Sequence, residues 1–210
     1  MTDFFVTLLS EAGFSVAKSD ALACTVFLLA AFSLAGLVQT AWLRIRASHR
    51  FAIPLDCGKT FRGKRIFGAN KTWKGLVVMV PAVGTAFWGL AMGVGLLRPG
   101  ALANLWQLSP GGYFLLGCWA GCGFMLGELP NSFIKRQLDI SPGMPPTSAA
   151  GRIICFVVDQ TDSVLGALLA LALLVNVPWP AWIVILLAGP LVHWLFNVLL
   201  MLLGLKAKAA

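Results

Sequence analysis

Residues 21–43, ALACTVFLLAAFSLAGLVQTAWL, form an apolar stretch that contains no charged side chain. A transmembrane α-helix needs about 20 such residues to cross the hydrocarbon core of a bilayer. Four later stretches meet the same requirement. The predicted spans are residues 21–43, 74–97, 112–130, 151–176 and 180–204. We therefore expect an all-α, polytopic integral membrane protein with about five transmembrane helices.

The composition of the whole chain supports this class. Its 210 residues are 59% hydrophobic and 11% charged, whereas a soluble domain carries about 25% charged residues. One small soluble core cannot hide so much apolar surface, so lipid must cover much of it. We expect residues 1–210 to form a single membrane-embedded domain. A signal peptide is not expected, because the first 17 residues contain no Lys or Arg.

The basic residues are unevenly distributed along the chain, which has a formal net charge of +8. Of its 16 Lys and Arg residues, only Lys18 and Arg98 fall on one side of the predicted spans, and the rest fall on the other. The positive-inside rule predicts that the basic loops face the cytoplasm and that the N-terminus is outside. We expect a multi-pass protein of the cell (inner) membrane. No nucleic-acid-binding motif accompanies the charge, so no nucleic-acid partner is expected.

Residues 54–75, PLDCGKTFRGKRIFGANKTWKG, are the first polar segment suited to chemistry. Glycines let backbone amides approach an anion, and the N-terminus of the following helix attracts negative charge. Lys and Arg side chains can neutralise a phosphate chain. The cations of this segment are Lys59, Arg62, Lys64, Arg65, Lys71 and Lys74. The alternative is a basic loop held at anionic lipid, and charge alone does not separate the two.

The second segment, residues 127–136, reads GELPNSFIKR. If it is helical, Glu128, Ser132 and Lys135 lie on one face. A helix end whose Lys and Arg reach for the membrane surface would explain Lys135 and Arg136. It would not explain an acidic residue, Glu128, at the end of an apolar run.

The third segment, residues 156–166, reads FVVDQTDSVLG and places two aspartates inside an apolar helix. Asp159 and Asp162 are three residues apart, so both carboxylates project from one helix face. Each costs about 2.5–3.5 kcal/mol near the centre of a span, and the pair also repel each other. A compensating cation is therefore expected. Mg²⁺ suits two carboxylates that share a site with substrate phosphates, and the alternative is pairing with Lys or Arg from the basic loops.

Glycines recur at four-residue spacing, which lets membrane helices approach closely. The pairs are Gly89 with Gly93, Gly117 with Gly121, and Gly123 with Gly127. We interpret all three pairs as packing surfaces.

In this order, the three polar segments resemble the CDP-archaeol synthase family, which is related to the phosphatidate cytidylyltransferases. The latter carry a Ser…Lys-Arg segment followed by paired aspartates. The resemblance covers about residues 54–166, and the five-span layout extends it over most of the chain. It implies a membrane transferase that joins CTP to a lipid phosphate, releases pyrophosphate and uses Mg²⁺ as its cofactor.

The resemblance also implies roles for individual residues. Asp159, Asp162 and Lys135 would be catalytic, and Asp159, Asp162 and Glu128 would hold the metal. The residues implied to bind substrate are Asp56, Lys59, Arg65, Asn70, Lys71, Thr72, Lys74, Asn131, Ser132 and Arg136. Glu128 stands where the family pattern has Asp, which indicates a divergent branch, with a bacterial source expected.

The sequence alone also allows a function of another class. A non-catalytic membrane protein, such as a small transporter or a complex subunit, would use the Asp pair for an ion path or a helix contact.

Overall fold

The computed structural model describes residues 19–204, except for the side chain of His193. The predicted position of the N-terminus therefore lies outside the described residues. Five long helices account for most of this part of the chain. They are α1 (Ala21–Arg44), α2 (Trp73–Leu97), α3 (Pro110–Gln137), α4 (Ala149–Ala172) and α5 (Trp179–Leu202). Each is long and apolar enough to cross a membrane, which confirms the predicted all-α, multi-pass membrane fold.

Side-chain caps set the starts of three helices. The carboxylate of Asp20 accepts a hydrogen bond from the backbone N–H of Ala23 at 2.8 Å, at the start of α1. The hydroxyls of Ser109 and Ser148 do the same for α3 and α4, each at 3.1 Å. Such caps satisfy backbone donors that have no partner within the helix.

Helix α3 continues beyond the predicted end of the third span at residue 130, through Pro130 to Gln137. Apolar length marks only the part of a helix that lipid surrounds. The last two turns are polar, and two of their side chains, Asn131 and Lys135, bind aspartates of α4, as described below. These turns carry Asn131, Ser132, Lys135 and Arg136.

Helix α3 lies at the centre of the bundle, packed between α2 and α4, while α1 packs against α2 and α5. A Cβ atom on Gly117 would lie 2.7 Å from the carbonyl oxygen of Val83, closer than real Cβ contacts come. Gly117 and Gly121 therefore allow the close approach of α2, and their predicted packing role is confirmed. It is wrong for Gly89 and Gly93 within residues 19–204, where no atom lies within 4 Å of such a Cβ.

Aromatic rings fill the end of the bundle where α2 is connected to α3. Phe87 and Trp106 stack with their ring centroids 6.3 Å apart, and Phe27 meets Phe87 edge-on at 5.1 Å. The Trp106 indole donates to the backbone carbonyl of Asn176 at 2.8 Å, and the Tyr113 hydroxyl donates to that of Trp106 at 2.6 Å. All four rings are at most 5% exposed. We call Phe27, Phe87, Trp106 and Tyr113 the aromatic plug.

The basic loop between α1 and α2 lies at the other end of the bundle. It contains a 3₁₀ helix at Arg46–Phe51 and a two-stranded antiparallel hairpin, β1 (Thr60–Phe61) and β2 (Lys64–Arg65). The connection between α3 and α4 is at the same end, because both connections lie one helix away from the aromatic plug.

Candidate active site

Asp56 holds the basic loop together from inside. Its carboxylate is fully buried and forms an ion pair with Arg65. It also accepts hydrogen bonds from the backbone N–H groups of Gly58, Phe67 and Gly68, at 2.9–3.0 Å. Burial alone would raise the pKa of Asp56, but Arg65 and the three N–H donors outweigh it and hold that pKa well below its usual range. Asp56 is thus a positioning residue, and a direct role in substrate binding stays a prediction.

The hairpin is fixed to the end of α3. The Lys64 ammonium donates to the backbone carbonyl of Gln137 and to the carboxylate of Asp139, both at 2.7 Å. A cation at the C-terminal end of a helix is also favourable for the helix dipole. The ring of Phe61 lies 5.7 Å from that of Phe133 on α3. The loop is therefore docked on the helix that carries the second polar segment.

Four other candidate residues of the loop are outside the polar contacts described so far. Lys59 and Asn70 are exposed at the loop surface. Thr72 is half-buried and directly precedes the first turn of α2. The Lys74 ammonium lies 3.5 Å from the backbone carbonyl oxygen of Leu43, near the end of α1. Substrate binding by these four side chains stays a prediction.

The crossing of α3 and α4 brings the second and third segments together. A Cβ atom on Gly127 would lie 2.5 Å from the carbonyl oxygen of Asp162 and 2.9 Å from the Cα atom of Gly166. A Cβ atom on Gly166 would meet Gly123 and Gly127 in turn. The two backbones are therefore in direct contact, which confirms the predicted packing role of Gly123 and Gly127. Polar side chains that lie one turn beyond this crossing, on the facing sides of α3 and α4, are therefore brought close together.

Asn131 and Lys135 of α3 bind the aspartates of α4. The Asn131 amide donates to Asp159 at 2.5 Å and to Asp162 at 2.8 Å. The Lys135 ammonium forms an ion pair with Asp159. Because one amide nitrogen reaches both carboxylates, the two acidic side chains converge on one point. Pairing with a lysine, which was one of the two compensations considered for the aspartates, is thus present for Asp159.

Glu128 connects this cluster to the basic loop. It forms an ion pair with Lys71 of the loop and accepts a hydrogen bond from the Ser163 hydroxyl of α4 at 2.8 Å. Burial alone would lower the pKa of Lys71, but the neighbouring Glu128 carboxylate, followed by Asp162 and Asp159, raises it above its usual value. Lys71 is therefore a protonated cation at neutral pH. All three polar segments meet around the end of α3, and we call Lys71, Glu128, Asn131, Lys135, Asp159, Asp162 and Ser163 the polar cluster.

Arg136 offers a donor to an anion beside the loop. Its Nε atom is buried and has no hydrogen-bond partner within the described part of the chain. A Cβ atom on Gly68 would lie 3.1 Å from its Nη1 atom, so the guanidinium is in contact with the glycine that Asp56 anchors. A buried, unmatched N–H group is costly unless a ligand satisfies it. Ser132 is buried on the same helix.

The polar cluster fits a divalent cation through two ligands rather than three. Between residues 19 and 204, no three His, Cys, Asp or Glu side chains are grouped so as to hold a metal ion. Asp159 and Asp162, however, each direct a carboxylate oxygen at the same atom, the amide nitrogen of Asn131. Mg²⁺ commonly takes one or two carboxylates and completes its coordination with water and substrate phosphates. Their chemistry and convergence therefore suit Mg²⁺, with Glu128 engaged by Lys71 instead.

Comparison with known proteins gives this arrangement a family. A family model described as CarS-like, CDP-archaeol synthase, matches residues 50–209. The chain belongs to this family. The CDP-archaeol synthase of Pyrococcus abyssi is 36% identical over 146 residues, which are 69% of this chain and 76% of that relative. The CDP-archaeol synthase of Thermofilum pendens is 34% identical over 155 residues, covering 73% and 64%. The predicted resemblance is confirmed.

A solved structure also shares the fold of this CDP-archaeol synthase family member. It is described as an intramembrane enzyme for archaeal membrane lipids biosynthesis. The TM-score is 0.57 with 22% sequence identity, and the match covers 88% of this chain and 98% of the other. At this identity the match supports the five-helix architecture.

Two contacts of this family member were not predicted from its sequence. Ser163 was not a candidate, although a hydroxyl directly after Asp162 in an apolar helix is a signal for a polar contact. The position of Asn131 between the two aspartates was not predicted, and its role in substrate binding stays a prediction. Its spacing from Glu128 and Lys135, at offsets of three and four, puts all three on one helix face.

Proposed function

We propose that this protein transfers the cytidylyl group of CTP to a glycerol-lipid phosphate, giving a CDP-activated lipid and pyrophosphate. Membership of the CDP-archaeol synthase family confirms the predicted class of enzyme, a cytidylyltransferase that acts on lipid phosphates. The observation that carries the proposal for these residues is the ion pair of Lys71, from the glycine-rich loop, with Glu128 of α3, close enough to Asp162 and Asp159 of α4 to interact with their charges. One place thus offers cations for phosphates and carboxylates for a metal.

The reaction needs positioning and charge neutralisation more than proton transfer. An ionised oxygen of the lipid phosphate attacks the α-phosphorus of CTP. A new P–O bond forms, the bond to the bridging oxygen of the β-phosphate breaks, and pyrophosphate leaves. Because the attacking phosphate is already anionic near neutral pH, no strong general base is required.

The basic side chains have distinct tasks in this scheme. Lys71 and Lys135 place two ammonium groups beside the acidic pair, where the triphosphate would lie. Arg136 supplies an unmatched N–H group at the loop. Asp56 fixes the loop that carries Lys59 and Lys71. Negative charge that develops on the leaving pyrophosphate is thereby offset by fixed cations.

Asp159 and Asp162 would hold Mg²⁺, the proposed cofactor. When bound, the ion neutralises phosphate charge and polarises the reacting phosphorus centre. Asn131 would keep the two carboxylates oriented, since it bonds to both. Glu128 would act on the cluster through Lys71 and Ser163.

We further propose that the site faces the cytoplasm, from the cell (inner) membrane. Two connections lie at the same end of the bundle. One joins α1 to α2 and includes Lys59–Lys74, and the other follows the end of α3. These loops hold most of the positive charge, as the positive-inside rule requires of cytoplasmic segments. CTP is a soluble cytoplasmic nucleotide, and this orientation gives it access to Lys71.

The proposal is tested by pyrophosphate release from the purified protein. The protein is supplied with CTP, Mg²⁺ and either phosphatidic acid or archaetidic acid, and the lipid product is identified by mass spectrometry. We expect turnover with at least one lipid, and its loss on chelation of the metal. Asp159→Asn and Asp162→Asn should each abolish turnover while the protein still inserts and folds.

Asp20→Asn is the matched control, because it makes the same chemical change at the other end of the bundle and asparagine caps helices as well as aspartate does. It should keep wild-type turnover. Undiminished pyrophosphate release by Asp162→Asn would rule out the metal-binding role of the pair. A wild-type protein inactive on both lipids would overturn the proposed reaction, and the transporter or subunit hypothesis would return.

A further inference from the structure

A cavity of about 150 Å³ lies within the bundle, lined mainly by α1, α4 and α5, with Met79 of α2 and with Phe124 and Glu128 of α3. Its walls change in polarity along the bundle. At the end nearest the basic loop they include Gln39, Thr40, Glu128 and Asn197. Towards the aromatic plug the walls are apolar throughout. The cavity therefore has one polar end and one hydrocarbon-like end, the same polarity as a lipid molecule.

The length of the cavity matches one leaflet. Its α1 lining runs from Leu28 to Thr40, which is about 18 Å of helix at 1.5 Å per residue. The hydrocarbon core of a bilayer is about 30 Å thick, so the cavity extends about half-way through it. An apolar cavity of about 150 Å³ can take a guest the size of benzene. That is room for a segment of one hydrocarbon chain.

The polar end of the cavity adjoins the polar cluster. Glu128 lines the cavity and is the ion-pair partner of Lys71. A lipid whose chain entered the cavity would thus have its phosphate beside the cations of the loop. The wall also contains Gly36, on which a Cβ atom would lie 2.9 Å from the ring of Phe196. Phe196 of α5 therefore rests directly on the α1 backbone and closes the wall between these two helices.

We propose that this cavity binds one hydrocarbon chain of the lipid phosphate. The inference rests on the proposed function and deepens it, because it says how a lipid is held so that its phosphate reaches Lys71. The cavity selects its ligand by chain length and width. The second chain of the same lipid stays outside the cavity and lies in the surrounding bilayer.

Filling the cavity should separate long-chain from short-chain substrates. Val192→Trp enlarges a side chain that lines the cavity, and Ala167→Leu does so from the α4 side. The control is Leu195→Trp, on the same helix as Val192 but 52% exposed to the membrane. Each full-length variant is assayed with dioleoyl and with dihexanoyl phosphatidic acid at saturating CTP.

We expect Val192→Trp and Ala167→Leu to raise KM for the dioleoyl substrate about tenfold or more, the effect of displacing about two buried methylenes. KM for the dihexanoyl substrate and KM for CTP should stay unchanged, and Leu195→Trp should match wild type. An equal shift for both lipids, or the same shift in the control, would overturn the inference. Ala167→Leu keeps the test decisive if Val192→Trp does not fold.

A binding measurement separates this inference from the proposed reaction. Phosphatidic acid with a mid-chain diazirine is photolysed with the protein in phosphatidylcholine nanodiscs without CTP. We expect labelled peptides from α1 and α5 that include Leu29 and Val192, with labelling lost in Val192→Trp. This result would support the cavity as a chain site even if no turnover were found. Labelling spread evenly over lipid-facing residues such as Leu195 would overturn it.

Discussion

Gly127→Ala should inactivate the protein by pushing apart the two helices that form its polar cluster. The added Cβ atom would lie 2.5 Å from the carbonyl oxygen of Asp162, whereas ordinary van der Waals contacts begin at 3.4 Å. The obstacle is backbone on both sides, so no side chain can swing away. Helix α4 must move by 0.9 Å, the difference between these two distances. Asp159 and Asp162 move with it, away from Asn131.

A displacement of this size is large for catalysis. A misplacement of about 1 Å can cost about 100-fold in rate, and overpacking of this kind costs about 1–3 kcal/mol of stability. We therefore expect Gly127→Ala to lower kcat about 100-fold. The protein should still insert into the membrane and purify in detergent as a monodisperse species. The assay is initial-rate release of pyrophosphate, with thermal unfolding measured on the same samples.

Gly93→Ala is the matched control, because it makes the same change in a neighbouring helix where no atom of the described residues lies within 4 Å of the added Cβ. It should keep wild-type kcat and gain slightly in stability, since alanine favours helix over glycine by about 1 kcal/mol. If Gly127→Ala turned over at the wild-type rate, the close crossing of α3 and α4 would not be what aligns the polar cluster. A loss of activity in both variants would point to a general effect of the substitution.

Two other side chains give predictions of their own. Asp56→Asn should raise KM for CTP and speed hydrogen exchange at the amides of Phe67 and Gly68. The pKa of Asp56 is lower in the folded protein than in the unfolded chain. Its contribution to stability is therefore present above about pH 4, the pKa in the unfolded chain, and is lost as the pH falls below that value. Unchanged exchange in Asp56→Asn would show that the loop is held by other contacts. Lys71→Ala should weaken CTP binding. In the wild-type protein the affinity for CTP should not change between pH 7 and 9 through loss of the Lys71 proton. The pKa of Lys71 is raised, so its ion pair stays intact until the pH exceeds the usual lysine pKa of about 10.4. Equal nucleotide affinity in Lys71→Ala would leave the basic loop as a lipid anchor.

The fold was accessible from the sequence because lipid imposes a simple rule on helix length. Each of the five spans was found within a few residues of an apolar run. The end of α3 was missed for the same reason, since Asn131–Gln137 is polar and hydropathy gives no sign of a helix there. What keeps that part helical is its contact with α4, a tertiary interaction that no local pattern contains.

The candidate site was accessible in part. Paired aspartates in an apolar helix are costly, so the sequence alone indicated that a cation or a partner must be present. It did not indicate which partner: Lys71 and Glu128 are 57 residues apart, and only the packed structure brings them together. A local sequence pattern could have predicted the loop-anchoring role of Asp56. An Asp two residues before Gly58 can accept the backbone N–H of that glycine, as a turn-forming Asp often does.

The aromatic plug has a consequence for the cell as a whole. A membrane that stores energy as an ion gradient cannot tolerate a wet, charged passage from one face to the other. Phe27, Phe87, Trp106 and Tyr113 are packed ring against ring at one end of the bundle, and hydrocarbon replaces water there. Because the polar cluster lies at the opposite end of the bundle, the plug separates its carboxylates and lysines from the far face of the membrane.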